Sequence, residues 1–168
     1  MSDPADWLPS LVRLEEYGGD WRQYIDAVYA VFERDFIQNL LLLQGKPVRY
    51  RWRDRGQDPP EQKASTFWHV VTAGGPDIDR LPDLRRCERI GWICAMIAAA
   101  GSGGVNAWVT DDRGERRVLI ALPDFSHVVV LADRDSYVLL VTSYPIEEER
   151  RRQRFRAEFE AWTKGKRS

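Results

Sequence analysis

Two histidines are the side chains of this 168-residue sequence that are best suited to move a proton near neutral pH. The alternation of large residues predicts a strand at residues 66–72, with His69 at its middle and a breaker-rich loop at 73–83 after it. We interpret His69 as either a general acid or base or a hydrogen-bonded structural histidine. His127, at the start of another predicted strand, is interpreted as structural.

Arginines form the second group of candidates, because a planar guanidinium donates paired hydrogen bonds to phosphate. Arg85, Arg86 and Arg89 occupy little more than the first turn of a helix predicted at residues 84–100. They are candidates for a phosphate clamp, and a solvated helix face is the alternative.

Further arginines are candidates for substrate binding. Arg49 and Arg51 alternate with apolar residues along a short strand predicted at 48–52, and Arg150 opens an arginine-rich run at 150–156. The run is more typical of a solvated helix face, since glutamates are interleaved with it.

A strongly apolar strand predicted at residues 136–146 ends in hydroxyl side chains and leads into a charged helix. Because strand side chains alternate, Thr142 and Tyr144 share one face and Ser143 lies on the other. Thr142 and Tyr144 are candidates to bind a phosphate or carry a proton, and packing is the alternative for Tyr144. A polar strand end beside arginines is a plausible place for phosphate chemistry.

Several functional classes are disfavoured by what the sequence lacks. It contains no Walker loop, no GxSxG, no HExxH, no dinucleotide GxGxxG and no CxxC pair. We therefore expect no cofactor and no metal. Cys87 and Cys94 are expected to be reduced. The sequence has no apolar run long enough for a membrane span and no signal-peptide pattern, so we expect a cytoplasmic protein.

The chain is expected to form one domain over residues 1–168, with a helical part at 1–44 and a sheet with helices at 45–168. Asp20 is a candidate N-cap for an amphipathic helix at 21–39. Short turns predict an antiparallel meander, and a final helix follows. The predicted fold class is α+β, with N-terminal helices, a curled antiparallel β-meander sheet, one inserted helix and a C-terminal helix. The strands of the meander are predicted at residues 105–110, 115–122, 126–132 and 136–146. The final helix is predicted at residues 146–164.

The sequence resembles a family of small bacterial proteins of phage and mobile-element type, similar to the barnase-EndoU-colicin-RelE-like ribonuclease superfamily. The most specific block is Asp83-Leu-Arg-Arg-Cys-Glu-Arg-Ile90. The other residues that carry the resemblance are Trp21, Tyr24, Tyr29, Phe32, Asp35-Phe36, Gly45-Lys-Pro-Val48, Phe67-Trp-His69, Trp92 and Thr142 to Pro145.

The resemblance implies a toxin-type endoribonuclease that binds RNA and cleaves it without metal, by attack of a 2′-hydroxyl on the adjacent phosphate. In that scheme His69 is the general base or acid and Arg86 with Arg89 clamps the phosphate. Thr142 and Tyr144 orient or protonate the leaving oxygen. A neutralising protein partner is then expected as well.

The alternative is a non-catalytic protein-interaction module of a phage or toxin-antitoxin system, since Trp, Tyr and Arg also dominate protein interfaces. Convergence separates the two hypotheses. An enzyme requires His69, Arg86 and Tyr144 to meet in one pocket, whereas a module does not.

Overall fold

A computed structural model describes residues 5–73 and 81–167, and its fold is α+β as predicted. The helices are α1 (Trp21–Phe32), α2 (Ser65–Val71), α3 (Leu84–Glu88), α4 (Ile90–Ala99) and α5 (Glu149–Arg167). The strands are β1 (Leu42–Leu43), β2 (Lys46–Arg49), β3 (Asn106–Asp112), β4 (Glu115–Ala121), β5 (His127–Asp133) and β6 (Val138–Pro145). Short 3₁₀ segments occur at Leu14–Tyr17 and Pro60–Gln62, and a π-helical turn, Glu33–Ile37, continues α1.

The six strands form one curled, mixed sheet in the order β1-β2-β6-β5-β4-β3. β3 to β6 are the predicted antiparallel meander. β2 adds to the other edge of β6 in parallel and ends at Arg49, opposite Leu139. The second half of β6 therefore has no β2 partner, and α2 packs against β6 instead, with Thr142 Oγ1 donating to the His69 carbonyl at 3.5 Å.

Both faces of the sheet are buried, as the alternate side chains of β5 show. Val129 and Leu131 belong to the larger apolar cluster, which α1, α2 and α4 cover. Val128 and Val130 belong to a smaller cluster around Trp108, which α5 covers. A strand that is buried on both faces explains why β5 is an uninterrupted apolar run.

A β-bulge interrupts the pairing of β5 with β6. Val130 lies opposite Thr142 and Leu131 lies opposite Leu140, so Val141 has no opposite residue. Such a bulge changes the direction of the side chains beyond it. The hydroxyl side chains Thr142, Ser143 and Tyr144 lie directly after it in β6.

The prediction for α1 is confirmed. The Asp20 carboxylate accepts a hydrogen bond from the Gln23 backbone at 3.1 Å, which is the contact of an N-cap. The buried residues of α1 follow helical spacing and include Tyr24, Val28 and Phe32. The hydroxyl of Tyr24 donates to the Val12 carbonyl at 2.7 Å, which ties the N-terminal segment to the helix.

The predicted strand at residues 66–72 is wrong, because all of these residues except Thr72 belong to α2. Aromatic and β-branched residues favour strands locally, and the alternation of large side chains agreed with that. Phe67, Val70 and Val71 are instead buried at the spacing of one helical face. The contact energy of this face with the core outweighs the local preference.

The single helix predicted at residues 84–100 is two helices, because the backbone of Arg89 leaves the helical region at φ −100° and ψ 19°. Asp83 is the N-cap of the first, accepting from the Arg86 backbone at 3.2 Å. The predicted loop at 73–83 lies partly outside the described residues, which stop at 73 and resume at 81. At its ends Thr72 bridges Pro82, and the Asp83 amide donates to the Val71 carbonyl at 2.7 Å.

Candidate functional site

His69 lies on the outer side of α2, and its side chain is 41% exposed. Its Nε2 lies 3.6 Å from Oδ2 of Asp54, in the segment between β2 and α2. A carboxylate at this distance helps to orient the ring. The pair has the composition of a general acid–base group.

The backbone around this pair is held by hydrogen bonds between the two segments. The Arg51 amide donates to Thr66 Oγ1 at 2.7 Å, and the Thr66 amide donates to the Arg51 carbonyl at 3.1 Å. The Ser65 amide donates to the Trp52 carbonyl at 3.0 Å. The first turn of α2 is therefore fixed to the segment that carries Arg51.

His69 and Asp54 line a cleft of about 290 Å³, which we call the arginine cleft. Its other polar lining residues are Arg51, Ser65, Thr66, Glu115, Arg117 and Arg134. Glu115 pairs with Arg117 at 3.1 Å and with Arg134 at 2.6 Å. Arg51 forms no ion pair with a described residue, so its guanidinium is the cation of this cleft that is available to an anion.

A second cleft of about 550 Å³ adjoins the first, and we call it the tryptophan cleft. It shares Asp54, Ser65 and His69 with the arginine cleft. The remainder of its lining is Arg55, Gln57, Asp58, Pro59, Pro60, Glu61, Trp68 and Thr72. The His69–Asp54 pair thus lies on the boundary between two adjoining clefts.

Arg86 and Tyr144 meet in a third cleft, of about 230 Å³, together with Arg151. The guanidiniums of Arg86 and Arg151 lie 5.3 Å and 4.9 Å from the centroid of the Tyr144 ring. Arg151 also donates to the Tyr144 hydroxyl at 3.2 Å. Arg86 is half-buried and donates to the Thr72 carbonyl at 2.8 Å. Burial lowers the pKa of Arg86, and its charge is held by the Tyr144 ring and the carbonyl.

Arg85 in α3 and Arg89 directly after it have structural partners. Arg85 pairs with Glu147, which joins α3 to the segment before α5. Arg89 donates to the Arg85 carbonyl at 3.1 Å and lies 5.1 Å from the Trp92 ring centroid. Burial lowers the pKa of Arg89 as well.

Three further candidates, Arg49, Arg150 and Thr142, line none of the three clefts. Arg49 lies over the Tyr137 ring at 5.0 Å, and Arg150 is exposed in the first turn of α5. Thr142 contacts the backbone of His69 rather than its imidazole. Of the predicted substrate-binding residues, Arg51 is the one that the fold brings to His69.

His127 is a buried structural histidine, as predicted, with 2% exposure. The Ser143 hydroxyl donates to the Val128 carbonyl at 3.1 Å, so the His127 Nε2 proton is the one shared with Ser143 Oγ at 2.8 Å. His127 Nδ1 has no hydrogen-bond partner in the described part of the chain. Burial, with Arg89 and Arg86 nearby, lowers the pKa of His127 to about 3.

The three residues that an enzyme was expected to bring together are divided between clefts: Arg86 and Tyr144 share one, and His69 lines two others. This outcome counts against the predicted catalytic site, so a ribonuclease hypothesis has to rest on a different set of residues around His69. Sequence reasoning missed Asp54, Trp68 and Arg151 as lining residues. Asp54 follows the strand predicted at 48–52 and was given no role, and Arg151 lay in a run interpreted as solvated. The aromatic flank of His69 was the one available signal for Trp68.

Comparison with known proteins returns no match, whether with family models, curated proteins or solved structures. Within residues 5–73 and 81–167, no group of three or more His, Cys, Asp or Glu side chains is arranged to hold a metal ion. No helix in these two ranges is long and apolar enough to cross a membrane.

Proposed function

We propose that the protein is a metal-independent endoribonuclease of the toxin type, with its catalytic centre at the His69–Asp54 pair. The observation that supports this proposal is the imidazole of His69 beside a carboxylate at 3.6 Å, in a cleft that also carries Arg51. A base and an adjacent cation are the groups that attack of a 2′-hydroxyl on phosphorus requires.

In this mechanism His69 takes the proton of the 2′-hydroxyl while the 2′ oxygen forms a bond to phosphorus. Arg51 stabilises the charge that develops on the phosphoryl oxygens, and Asp54 stabilises the imidazolium. The bond from phosphorus to the 5′ oxygen then breaks, and the proton taken by His69 returns to that oxygen. The products are a 2′,3′-cyclic phosphate and a 5′-hydroxyl.

This proposal keeps His69 and Arg51 and changes the roles of the other predicted residues. Arg86 and Tyr144 line a different cleft, so we assign them to holding the end of α2 in place. Thr142 has a similar role through the His69 carbonyl. The free thiols Cys87 and Cys94 agree with action in the reducing cytoplasm.

The test is incubation of total and transfer RNA with the purified protein in EDTA. Cleavage that leaves cyclic-phosphate ends is expected from the wild type, and His69→Gln should lose at least about 100-fold in rate. Arg51→Ala should lose rate as well. Arg22→Ala, which removes an exposed arginine of α1, is the matched control and should retain full activity. Intact RNA after incubation with correctly folded wild-type protein would reject the proposal.

The second candidate is a protein-interaction module, which one surface favours. Ile37, Leu40 and Leu42 are 36%, 75% and 50% exposed, and they lie between the end of the π-helical turn and the first residue of β1, a strand at one edge of the sheet. Exposed apolar residues beside an unpaired strand edge are suited to a protein partner.

The two candidates are separated by affinity purification from the cells that carry the protein. A module predicts a partner that copurifies with the wild type and is lost with Leu40→Asp. The same variant should leave RNA cleavage unchanged if the protein is a ribonuclease. A partner that persists with Leu40→Asp would exclude this surface.

A further inference from the structure

The two clefts that meet at His69 differ in chemistry. The boundary between them consists of Asp54, Ser65 and His69, which line both. On one side lies Arg51, a cation without a carboxylate partner among the described residues. On the other side lie the indole of Trp68 and the rings of Pro59 and Pro60. A ligand that spans both clefts therefore contacts two different environments, one on each side of the His69 imidazole.

The indole of Trp68 is held in a fixed orientation. Its Nε1 donates to the Pro60 carbonyl at 3.1 Å, and its ring packs edge-on against Phe67 with 5.2 Å between the centroids. An aromatic ring that is fixed by a hydrogen bond and by packing loses little entropy when a ligand stacks on it. Planar bases stack on such rings in single-stranded nucleic-acid sites.

The charges of the tryptophan cleft favour a base over a phosphate. Asp54, Asp58 and Glu61 line it with one arginine, Arg55, and two of these carboxylates also form ion pairs, Asp58 with Arg53 at 3.0 Å and Glu61 with Lys63 at 3.6 Å. Carboxylates repel phosphate oxygens but accept hydrogen bonds from the amino groups of adenine, cytosine and guanine. Its volume of about 550 Å³ is within the range of roughly 300–1,000 Å³ that small-molecule sites occupy.

We propose that the two clefts are adjoining nucleotide subsites for single-stranded RNA. The base of one nucleotide stacks on Trp68 in the tryptophan cleft, and the phosphate beside it binds Arg51 in the arginine cleft at His69. The carboxylates of the tryptophan cleft make this subsite selective for an amino-bearing base over uracil. This inference rests on the proposed ribonuclease function and specifies how that site selects its substrate.

The test measures binding of uncleavable 2′-O-methyl dinucleotides by calorimetry, so it does not depend on cleavage. The probes are the dinucleotide of two cytidines, the same molecule with an abasic sugar at either position, and the dinucleotide of two uridines. One of the two abasic changes should weaken binding to the wild type about tenfold, the equivalent of ~1.4 kcal/mol. The uridine probe should also bind more weakly than the cytidine probe.

Trp68→Ala should weaken the cytidine dinucleotide about tenfold and abolish the penalty of that abasic change. Trp68→Phe keeps an aromatic ring and should retain most of the affinity, which guards against a folding defect in the alanine variant. Trp21→Ala, which removes a tryptophan that is 42% exposed on α1, should leave binding unchanged.

The result that overturns the inference is equal binding by the wild type and Trp68→Ala, or an abasic penalty that persists in Trp68→Ala. Such a result together with RNA cleavage in EDTA would remove the subsites and leave the proposed function intact. Conversely, Trp68-dependent binding without any cleavage of RNA would support the subsites and reject the ribonuclease.

Discussion

Lowering the pH from 7 to 4 should destabilise the protein through the single buried imidazole of His127. The ring is 2% exposed, packs edge-on against Trp92 with 5.5 Å between centroids, and shares its Nε2 proton with Ser143. Because the ring is almost fully buried, the protonated form would lose its water shell. Arg89 and Arg86 add two positive charges nearby, which disfavour protonation further.

The magnitude follows from the two pKa values. The pKa of His127 is lowered from 6.5 to about 3 in the folded protein, so the unfolded chain binds one more proton between these limits. The free energy of unfolding then falls by about 1.4 kcal/mol for each pH unit below 6.5. The contribution of the neutral imidazole is complete above pH 6.5 and is lost as the pH falls toward 3. Between pH 7 and pH 4 the loss is about 3 kcal/mol.

Urea unfolding at pH 7, 6, 5 and 4, followed by tryptophan fluorescence, measures this loss. The two proteins compared are His69→Gln, in which His127 is the one remaining histidine of the chain, and the double variant that adds His127→Gln. The glutamine amide can still donate to Ser143. Subtracting the two curves cancels the contribution of the carboxylates.

The stability advantage of the protein that retains His127 should shrink by about 3 kcal/mol from pH 7 to pH 4. Its imidazole signals in NMR should also show no titration over this range. Parallel stability curves for the two proteins, or an imidazole that titrates near pH 6.5 in the folded state, would refute the reasoning.

Three further predictions concern parts of the fold that position the clefts. Asp20→Ala should lower the free energy of unfolding by about 1 kcal/mol through loss of the α1 cap, and urea unfolding that matches the wild type would contradict this. Burial raises the pKa of Cys87 to about 12 and that of Cys94 to about 11, so neither thiol should react with a disulfide reagent at pH 8 unless urea is added. Rapid reaction of Cys87 in the native protein would show that the core is not closed there. Arg86→Ala leaves the Thr72 carbonyl without its donor and should cost about 1–3 kcal/mol while RNA cleavage is retained. Complete loss of cleavage at unchanged melting temperature would instead make Arg86 catalytic.

The parts of the fold with strong local signals were predictable. Asp20 and the spacing of apolar residues after it defined α1, and the turns between β3 and β6 defined the meander. α2 was not predictable, because its residues favour a strand and only the core contacts of Phe67, Val70 and Val71 make it a helix. The parallel pairing of β2 with β6 was also beyond local reasoning, since it joins residues about ninety positions apart.

The candidate site was predictable in its residue types but not in its assembly. His69 and Arg51 were identified because histidine and arginine have few alternatives for proton transfer and phosphate binding. Asp54 has no distinguishing local pattern, and the aromatic flank of His69 did not indicate that Trp68 would line the same cleft. A strand at residues 66–72 would have placed His69 and Trp68 on opposite faces of a sheet. In α2 both of them line the tryptophan cleft.

The position of α2 links the clefts to each other. With seven residues, α2 is too short to be stable alone, so its position depends on tertiary contacts. Thr142 holds the His69 carbonyl, and Arg86 holds the Thr72 carbonyl just beyond the last turn. Tyr144 in turn holds the Arg86 guanidinium. The residues of the third cleft therefore support α2 through its backbone, so a substitution there should lower stability without removing a side chain that lines either cleft at His69.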